Sequence, residues 1–278
     1  MSRKTSDSIA LGLSQLGKTL KSLCKMLLSS RPASLRPLPQ DGREIYILGN
    51  GPSLKTALQE QQVRLAASDC LAVNFFANSP AFSEIKPQYY ILIDPHFFTP
   101  GDANVDSLWR NLAEADWDIT LIIPVGKKPL KTSSRMTVKT INAIGLEGYQ
   151  WFTNMAYTRR WGMPRPRNVL IAAIMAAAWA GYKRLVILGA DHSWTATLSV
   201  ADDNTVLSVQ PHFYKEAASE QARQAQVYKD IRLHTILESF AIAFRAYHDI
   251  QRWAQHSGVQ IVNATPGSFI DAFLRQPL

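Results

Sequence analysis

Short β-branched runs alternate with helix-period runs, and this predicts an α/β fold of Rossmann-like type. The sheet is mainly parallel, with helices on both faces. Seven apolar runs carry the strand signal: Glu44 to Leu48, Cys70 to Phe75, Tyr89 to Asp94, Ile119 to Pro124, Val138 to Asn142, Arg184 to Leu188 and Val259 to Asn263. They are short and almost wholly apolar, as strands covered on two sides must be. Helical patterns separate them at Leu54 to Ala67, Asn104 to Ala115, Asn168 to Ala180 and about Glu216 to His256, the last with Leu233, Leu237, Phe240, Phe244, Tyr247 and Ile250 facing the core. A lid segment and an N-terminal amphipathic tail complete the expected architecture.

The 278 residues divide into a basic tail with a proline-rich linker at 1–42 and one α/β domain at 43–278, with the lid at about 195–215. Hydrophobic residues make up 46% and charged residues 19%, enough apolar material to pack a core. Two cysteines, Cys24 and Cys70, are too few for a disulfide framework and point to a reducing compartment. No apolar run is long enough to cross a membrane.

The net charge of +8 is uneven. Residues 1–38 hold Arg3, Lys4, Lys18, Lys21, Lys25, Arg31 and Arg36 against Asp7 alone, six of the eight net charges. The body is therefore almost neutral, which argues against nucleic acid as a partner. Ile9, Leu13, Leu16, Leu20, Leu23 and Leu27 recur at helical spacing, with the lysines largely off that stripe. A basic amphipathic helix of this kind suits an anionic membrane surface, here the inner face of the cytoplasmic membrane. A helix packed on the body or on a partner, including a second copy, has the same pattern. "SSRPASLRPLPQDG", residues 29–42, reads as a linker.

Ligands of such sheets gather at the carboxyl ends of the strands. The first strand ends in Gly49, Asn50, Gly51, Pro52 and Ser53. Glycines let a ligand approach the backbone, and Ser53 opens a helix whose first N–H groups suit phosphate. A tight structural turn would use the same residues. The motif is neither a GxGxxG fingerprint nor a Walker loop. Asn74 follows the second strand, Asp94 and His96 the third, and Asp191, His192 and Ser193 the sixth. Asp94 and Asp191 have the donors for a divalent metal, but Asp after a strand more often caps a turn, so no metal is assigned. "WFTNMAYTRRWGMPRPRN", residues 151–168, reads as a loop suited to sugar and anion, and residues 197–216 as a hairpin lid turning at Ala201 to Asn204.

"ILGNGPSL", "VNFF", "DPHFF", "GYKRLVILGADHS" and "VNATPGSFIDAF" together resemble the bacterial sialyltransferases that use CMP-activated sialic acid. The related MptE-like family, which includes archaeal pterin diphosphokinases, shares much of this pattern, and "GADHSW" is closer to that wider group. The resemblance covers roughly residues 43–274 and implies a nucleotide-binding fold. It implies a CMP contact for Asn50 and Asn74. At the turn into the helix of Asn168, where the sialyltransferases carry serine or threonine, this chain has Arg167-Asn168-Val169. Ser193 stands where they carry a phosphate-binding tyrosine. Arg165 and Arg167 are then candidates for phosphate, and Tyr214 for phosphate or acceptor. The base histidine of those enzymes follows the lid, which implies His212 here, with His234 and His192 behind it and Asp191 nearby.

The expected activity is transfer from a CMP-sugar to a cell-surface glycan or glycolipid precursor, with no cofactor required. A diphosphokinase of the MptE-like kind would instead use ATP and magnesium, with Asp94 and Asp191 as ligands. A non-catalytic nucleotide- or glycan-binding protein is the third reading.

Overall fold

A computed structural model describes residues 3–38, 42–207, 212–214 and 231–278, with side-chain exposure from residue 10 onward. The chain begins with α1 (Arg3–Ser29) and then alternates. The order is β1 (Glu44–Leu48), α2 (Leu54–Ala66), β2 (Asp69–Val73), α3 (Ala81–Ile85), β3 (Tyr89–Ile91), α4 (Ala103–Glu114), β4 (Ile119–Pro124) and β5 (Met136–Ile141). There follow α5 (Gln150–Thr158), α6 (Val169–Trp179), β6 (Arg184–Leu188), β7 (Ser199–Val200), β8 (Val206–Leu207), α7 (Leu233–Ser257), β9 (Gln260–Asn263) and β10 (Leu274–Arg275).

Eight strands form one parallel sheet in the order β10-β9-β6-β1-β2-β3-β4-β5. This is the expected α/β Rossmann-like architecture. Side chains alternate along β1: Ile45 and Ile47 enter the core with α6 and α7, while Tyr46 and Leu48 enter the core with α2 and α4. Both faces are thus dry, which explains why the strands read as unbroken apolar runs. Helix α6 lies under the sheet centre and is buried almost all round. Its alanines allow that close approach, and a helix apolar on every side has to be enclosed.

Several elements end earlier than the sequence suggests. β2 stops at Val73 rather than Phe75, because Asn74 takes φ +50° and opens a 3-10 turn. β3 stops at Ile91 rather than Asp94. The long helix starts at Leu233, after an extended Arg232; residues 215–230, expected to be its first part, lie outside the described residues. Leu233 and Leu237, expected to face the core, are exposed. The 151–168 stretch is no simple loop, since α5 occupies its first half. The hairpin forms as expected: Ser199 pairs with Leu207 and Val200 with Val206 around Ala201 to Asn204.

Residues 31–38, read as a linker, are bonded to the β5 edge and to the end of α6. Leu35 N–H donates to Thr140 O (3.1 Å), Ser34 N–H to Thr140 Oγ1 (2.9 Å) and Leu38 N–H to Ala180 O (3.0 Å). This segment satisfies edge groups that would otherwise invite pairing with another chain. α1 is held separately. Thr19 Oγ1 accepts from Tyr149 N–H (2.9 Å), Ser22 Oγ accepts from Glu147 N–H (2.8 Å), and Tyr149 Oη donates to Gly12 O (2.9 Å).

Gly148 fits this seam because it has no side chain. It sits at φ +136°, and a Cβ there would collide with Thr19, lying 2.8 Å from its N and Cα. Gly148→Ala should therefore loosen α1 from the body while the sheet stays folded. Hydrogen exchange of residues 10–29 should speed up, with little change in β1 and β6; unchanged protection of α1 would refute this.

Candidate functional site

The chain leaves β1 outward through β2 to β5 and then crosses back to β6 on the other side of β1. Strand order therefore reverses between β1 and β6, and the loops at their carboxyl ends leave a crevice. A cavity of about 440 Å³ opens there. It is lined by Gly49 to Pro52 after β1, Val73 to Phe75 after β2 and Ile93 to Phe97 after β3. Asp191 to Trp194 after β6, Pro166 to Leu170 at the start of α6, and His212 and Tyr214 close it.

The two central loops meet backbone to backbone. Gly49 N–H donates to Leu188 O and Gly51 N–H to Gly189 O, both at 2.8 Å. A Cβ on Gly49 would lie 2.6 Å from Gly189 O, and one on Gly51 would overlap Asp191 Oδ2. The Asp191 carboxylate takes Ser53 Oγ–H on Oδ2 (2.8 Å) and Ser53 N–H on Oδ1 (3.3 Å). Leu54 and Lys55 N–H turn back to Gly51 O and Pro52 O.

This corrects the phosphate-cradle reading of the GNGPS loop. Asp191 already occupies the start of α2 with a negative charge, the N–H groups of Gly51, Ser53, Leu54 and Lys55 are engaged, and Ser53 is not part of the cavity lining. The glycines serve loop-to-loop contact. The "VNATPGSF" segment braces the same place from below. Thr265 Oγ1 accepts from Ala190 N–H (3.0 Å), Ser268 Oγ donates to Ala190 O (2.6 Å), and Phe269 N–H donates to Asp191 O (2.9 Å).

Three asparagines present buried polar atoms with no hydrogen-bond partner among the described residues: Asn50 Oδ1, Asn74 Oδ1 and Asn168 Nδ2. All three residues line the cavity. A buried polar group without a partner is costly, so such atoms in one cavity mark a ligand surface. The amides of Asn50 and Asn168 are fixed from behind, and Asn74 is held through its backbone. Asn50 Nδ2 donates to Val73 O (3.2 Å) and Tyr214 Oη (3.4 Å), which leaves its oxygen for the cavity. Asn74 is held in the left-handed region, its carbonyl accepting from the buried Tyr90 hydroxyl (2.5 Å). Asn168 caps α6, its Oδ1 accepting from Leu170 N–H (3.0 Å) and Ile171 N–H (3.3 Å).

Behind Asn168 stands a residue that the sequence reading assigned only to the core. Tyr247 Oη donates to Asn168 Oδ1 (3.0 Å) and lies 2.6 Å from His192 Nε2. Because the tyrosine proton goes to the asparagine, His192 Nε2 must be the donor to Tyr247, and its Nδ1 keeps the lone pair. Burial pushes the His192 imidazole down to about 3 and raises the Tyr247 phenol, so both are neutral near pH 7. His192 also stacks on Trp194, with ring centroids 4.1 Å apart. Helical spacing placed Tyr247 on the inner face of α7, but a hydroxyl at the end of an apolar stripe gives no signal of what it meets.

The remaining candidates separate. His212 lies in the cavity, its Nδ1 3.2 Å from Asn50 O and its ring stacked on Tyr214. A carbonyl can only accept, so Nδ1 is the donor in this contact. His234 is exposed on α7, outside the lining. Arg167 reaches the cavity, whereas Arg165 lies 3.6 Å from Glu147 Oε2 and does not line it. Asp94 and Ser193 line the cavity, and Asp94 Oδ1 accepts from His96 N–H (2.9 Å). Trp151, Tyr157 and Trp161, expected to stack an acceptor, lie elsewhere: Tyr157 is buried and bonded to Leu146 O, and Trp151 is exposed. Among the described residues no three acidic, histidine or cysteine side chains gather as a metal cluster.

Fold and cavity define a Rossmann-like α/β protein with a polar cavity at the switch point of a parallel sheet. No family model matches the chain, and no curated protein matches it. Among solved structures it is similar in fold to the MAf glycosyltransferase from Magnetospirillum magneticum AMB-1, at 14% identity and a TM-score of 0.51. The likeness covers 89% of this chain and 35% of that one, so the chain spans about a third of that neighbour's length.

The half-buried His192 sets a pH dependence. The unfolded chain takes up a proton on His192 near the ordinary value of 6.5, whereas the folded protein resists it until about 3. Its contribution to stability is therefore intact above that ordinary value and is lost as pH falls toward the folded one. His192→Gln should flatten the fall of the urea midpoint between about pH 7 and pH 4. Tyr247→Phe should cost about 1–3 kcal/mol, because it leaves the imidazole N–H unpaired. An unaltered acid slope in His192→Gln would sink the buried-neutral assignment.

Proposed function

We propose that the protein is a glycosyltransferase that uses a nucleotide-activated sugar, with a CMP-sugar as donor and a cell-surface glycan or glycolipid precursor as acceptor. The observation that carries the proposal is the set of three asparagines whose unpartnered atoms line one cavity at the switch point. Two acceptor oxygens and one amide donor suit a base with an exocyclic amine and a ring acceptor, as cytosine has. The glycosyltransferase fold neighbour and the sequence resemblance agree with this reading.

In this proposal Asn50 and Asn74 hold the nucleoside. The phosphate lies toward Arg167 and the start of α6, because Asp191 occupies the start of α2. His212 Nε2 takes the proton of the acceptor hydroxyl as the bond to the sugar forms and the nucleotide departs. His192 is held neutral behind Asn168 and positions it. The hairpin lid packs through Val206 on Ile236 and Phe240 of α7, with Trp194 beside them, and closes the site against water. The diphosphokinase reading draws on Asp94 and Asp191, but both oxygens of Asp191 already accept from Ser53.

Thermal-shift measurements with CMP, CDP, UDP, ADP and ATP, each with and without magnesium, test the donor. Stabilisation by CMP without metal is expected. Stabilisation only by ATP with magnesium would replace the transferase with the kinase. His212→Ala should lower turnover by about 10²-fold or more while donor affinity stays nearly unchanged. Full activity in His212→Ala, with loss in His192→Ala, would move the base to His192.

A further inference from the structure

Helix α1 has two functional faces, and only one is used by the protein. Thr19 and Ser22 are buried against the 145–149 loop, with Leu23 and Met26 packed on the core beside them. The face one quarter-turn away carries Leu13, Leu16, Leu20 and Leu27, exposed by 64, 44, 54 and 75%. These leucines cover nothing among the described residues. A helix needing only to dock would turn its leucines inward and its threonine and serine outward. Here Thr19 and Ser22 make the hydrogen-bonded contact beside Leu23 and Met26, while Leu13, Leu16, Leu20 and Leu27 face out.

Two further features lie beside the helix. Trp151 is 64% exposed at the start of α5, two residues past Tyr149, which is bonded to α1 at Gly12 and Thr19. Lys21, Lys25 and Arg165 stand as a group of like charges with Glu147 beside them. Burial first, and then the neighbouring positive charges, lower the Lys25 ammonium.

We infer that α1 and Trp151 form a rigid platform that lays the protein on an anionic lipid bilayer, with the leucine face in the headgroup boundary. Exposed leucines and a tryptophan supply the apolar insertion, and the surrounding lysines and arginines supply attraction to anionic headgroups. Charge complementarity selects lipid over a second copy. Pairing two leucine faces would bring together two tails that each carry seven basic residues and one acidic residue over positions 1–38. No described helix is long and apolar enough to cross the membrane, so the platform lies on the surface. Because α1 is bonded to the 145–149 loop, the body is held close to the bilayer rather than tethered on a free leash.

Flotation of the full chain with phosphatidylcholine vesicles, with and without phosphatidylglycerol, tests this without any nucleotide or acceptor. The wild type should float with the anionic vesicles, less so as salt rises. The exposed pair Leu16→Glu and Leu20→Glu should weaken binding at least tenfold while the thermal midpoint stays unchanged. Should that variant unfold, Trp151→Ala supplies the second arm, with weaker flotation and loss of the blue shift in tryptophan emission on vesicle titration. Equal flotation of wild type and variants, or no flotation of the wild type, would overturn the inference. So would a dimer that the leucine variant converts to monomer without any vesicle binding, since the face would then be a contact between copies.

Discussion

The site depends on the contact between the loops after β1 and β6. Gly49 and Gly51 lie against the Gly189 backbone at distances that no side chain permits, and the Asp191 carboxylate bridges to Ser53 across the same gap. This contact sets how closely the central strands' ends approach. In the proposed function, the internal carboxylate at the start of α2 steers an anionic group toward α6 and Arg167. The pairing of Thr265 and Ser268 with both backbone groups of Ala190 keeps the β6 loop from relaxing away. Buried polar networks of this kind are costly when half satisfied and rigid when complete.

Rigidity on that side is matched by a different construction on the other. The hairpin β7–β8 is joined to α7 by a small apolar cluster and to the cavity by His192 and Trp194. His212 and Tyr214 come over the β1 loop, with Phe213 N–H on Asn50 O (3.0 Å) and the Phe213 ring against Phe76. This wall comes from loop segments, whereas the asparagines stand at the ends of sheet strands and at the start of α6.

The β5 edge shows how one chain resolves two demands. An exposed parallel edge invites pairing with other chains, and residues 31–38 cover it with their own backbone bonds. The same segment leads out of α1, so edge protection and placement of the basic helix are one device. The prolines there made it look like an unattached linker. Proline removes N–H donors, but Ser34, Leu35 and Leu38 retain theirs, and these are the groups that bond.

The sequence by itself determined the sheet. Runs such as Glu44 to Leu48, Ile119 to Pro124 and Arg184 to Leu188 match the strands because burial on both faces leaves an unbroken apolar signature. It also determined that Asn50, Asn74, Asp94 and Asp191 end strands, since polar residues after apolar runs mark where the backbone leaves the core. What a strand-end residue faces was not legible. Ser53 and Asp191 were read as ligand contacts and turned out to contact each other. Tyr247 was read as core and its hydroxyl bonds Asn168. Arg165 and Arg167 are two residues apart, yet only Arg167 lines the cavity. Periodicity records burial along one element. Which polar atoms from distant elements meet, and which are left facing a cavity, is set by the crossover that brings β6 beside β1, and that was decided only in the tertiary structure.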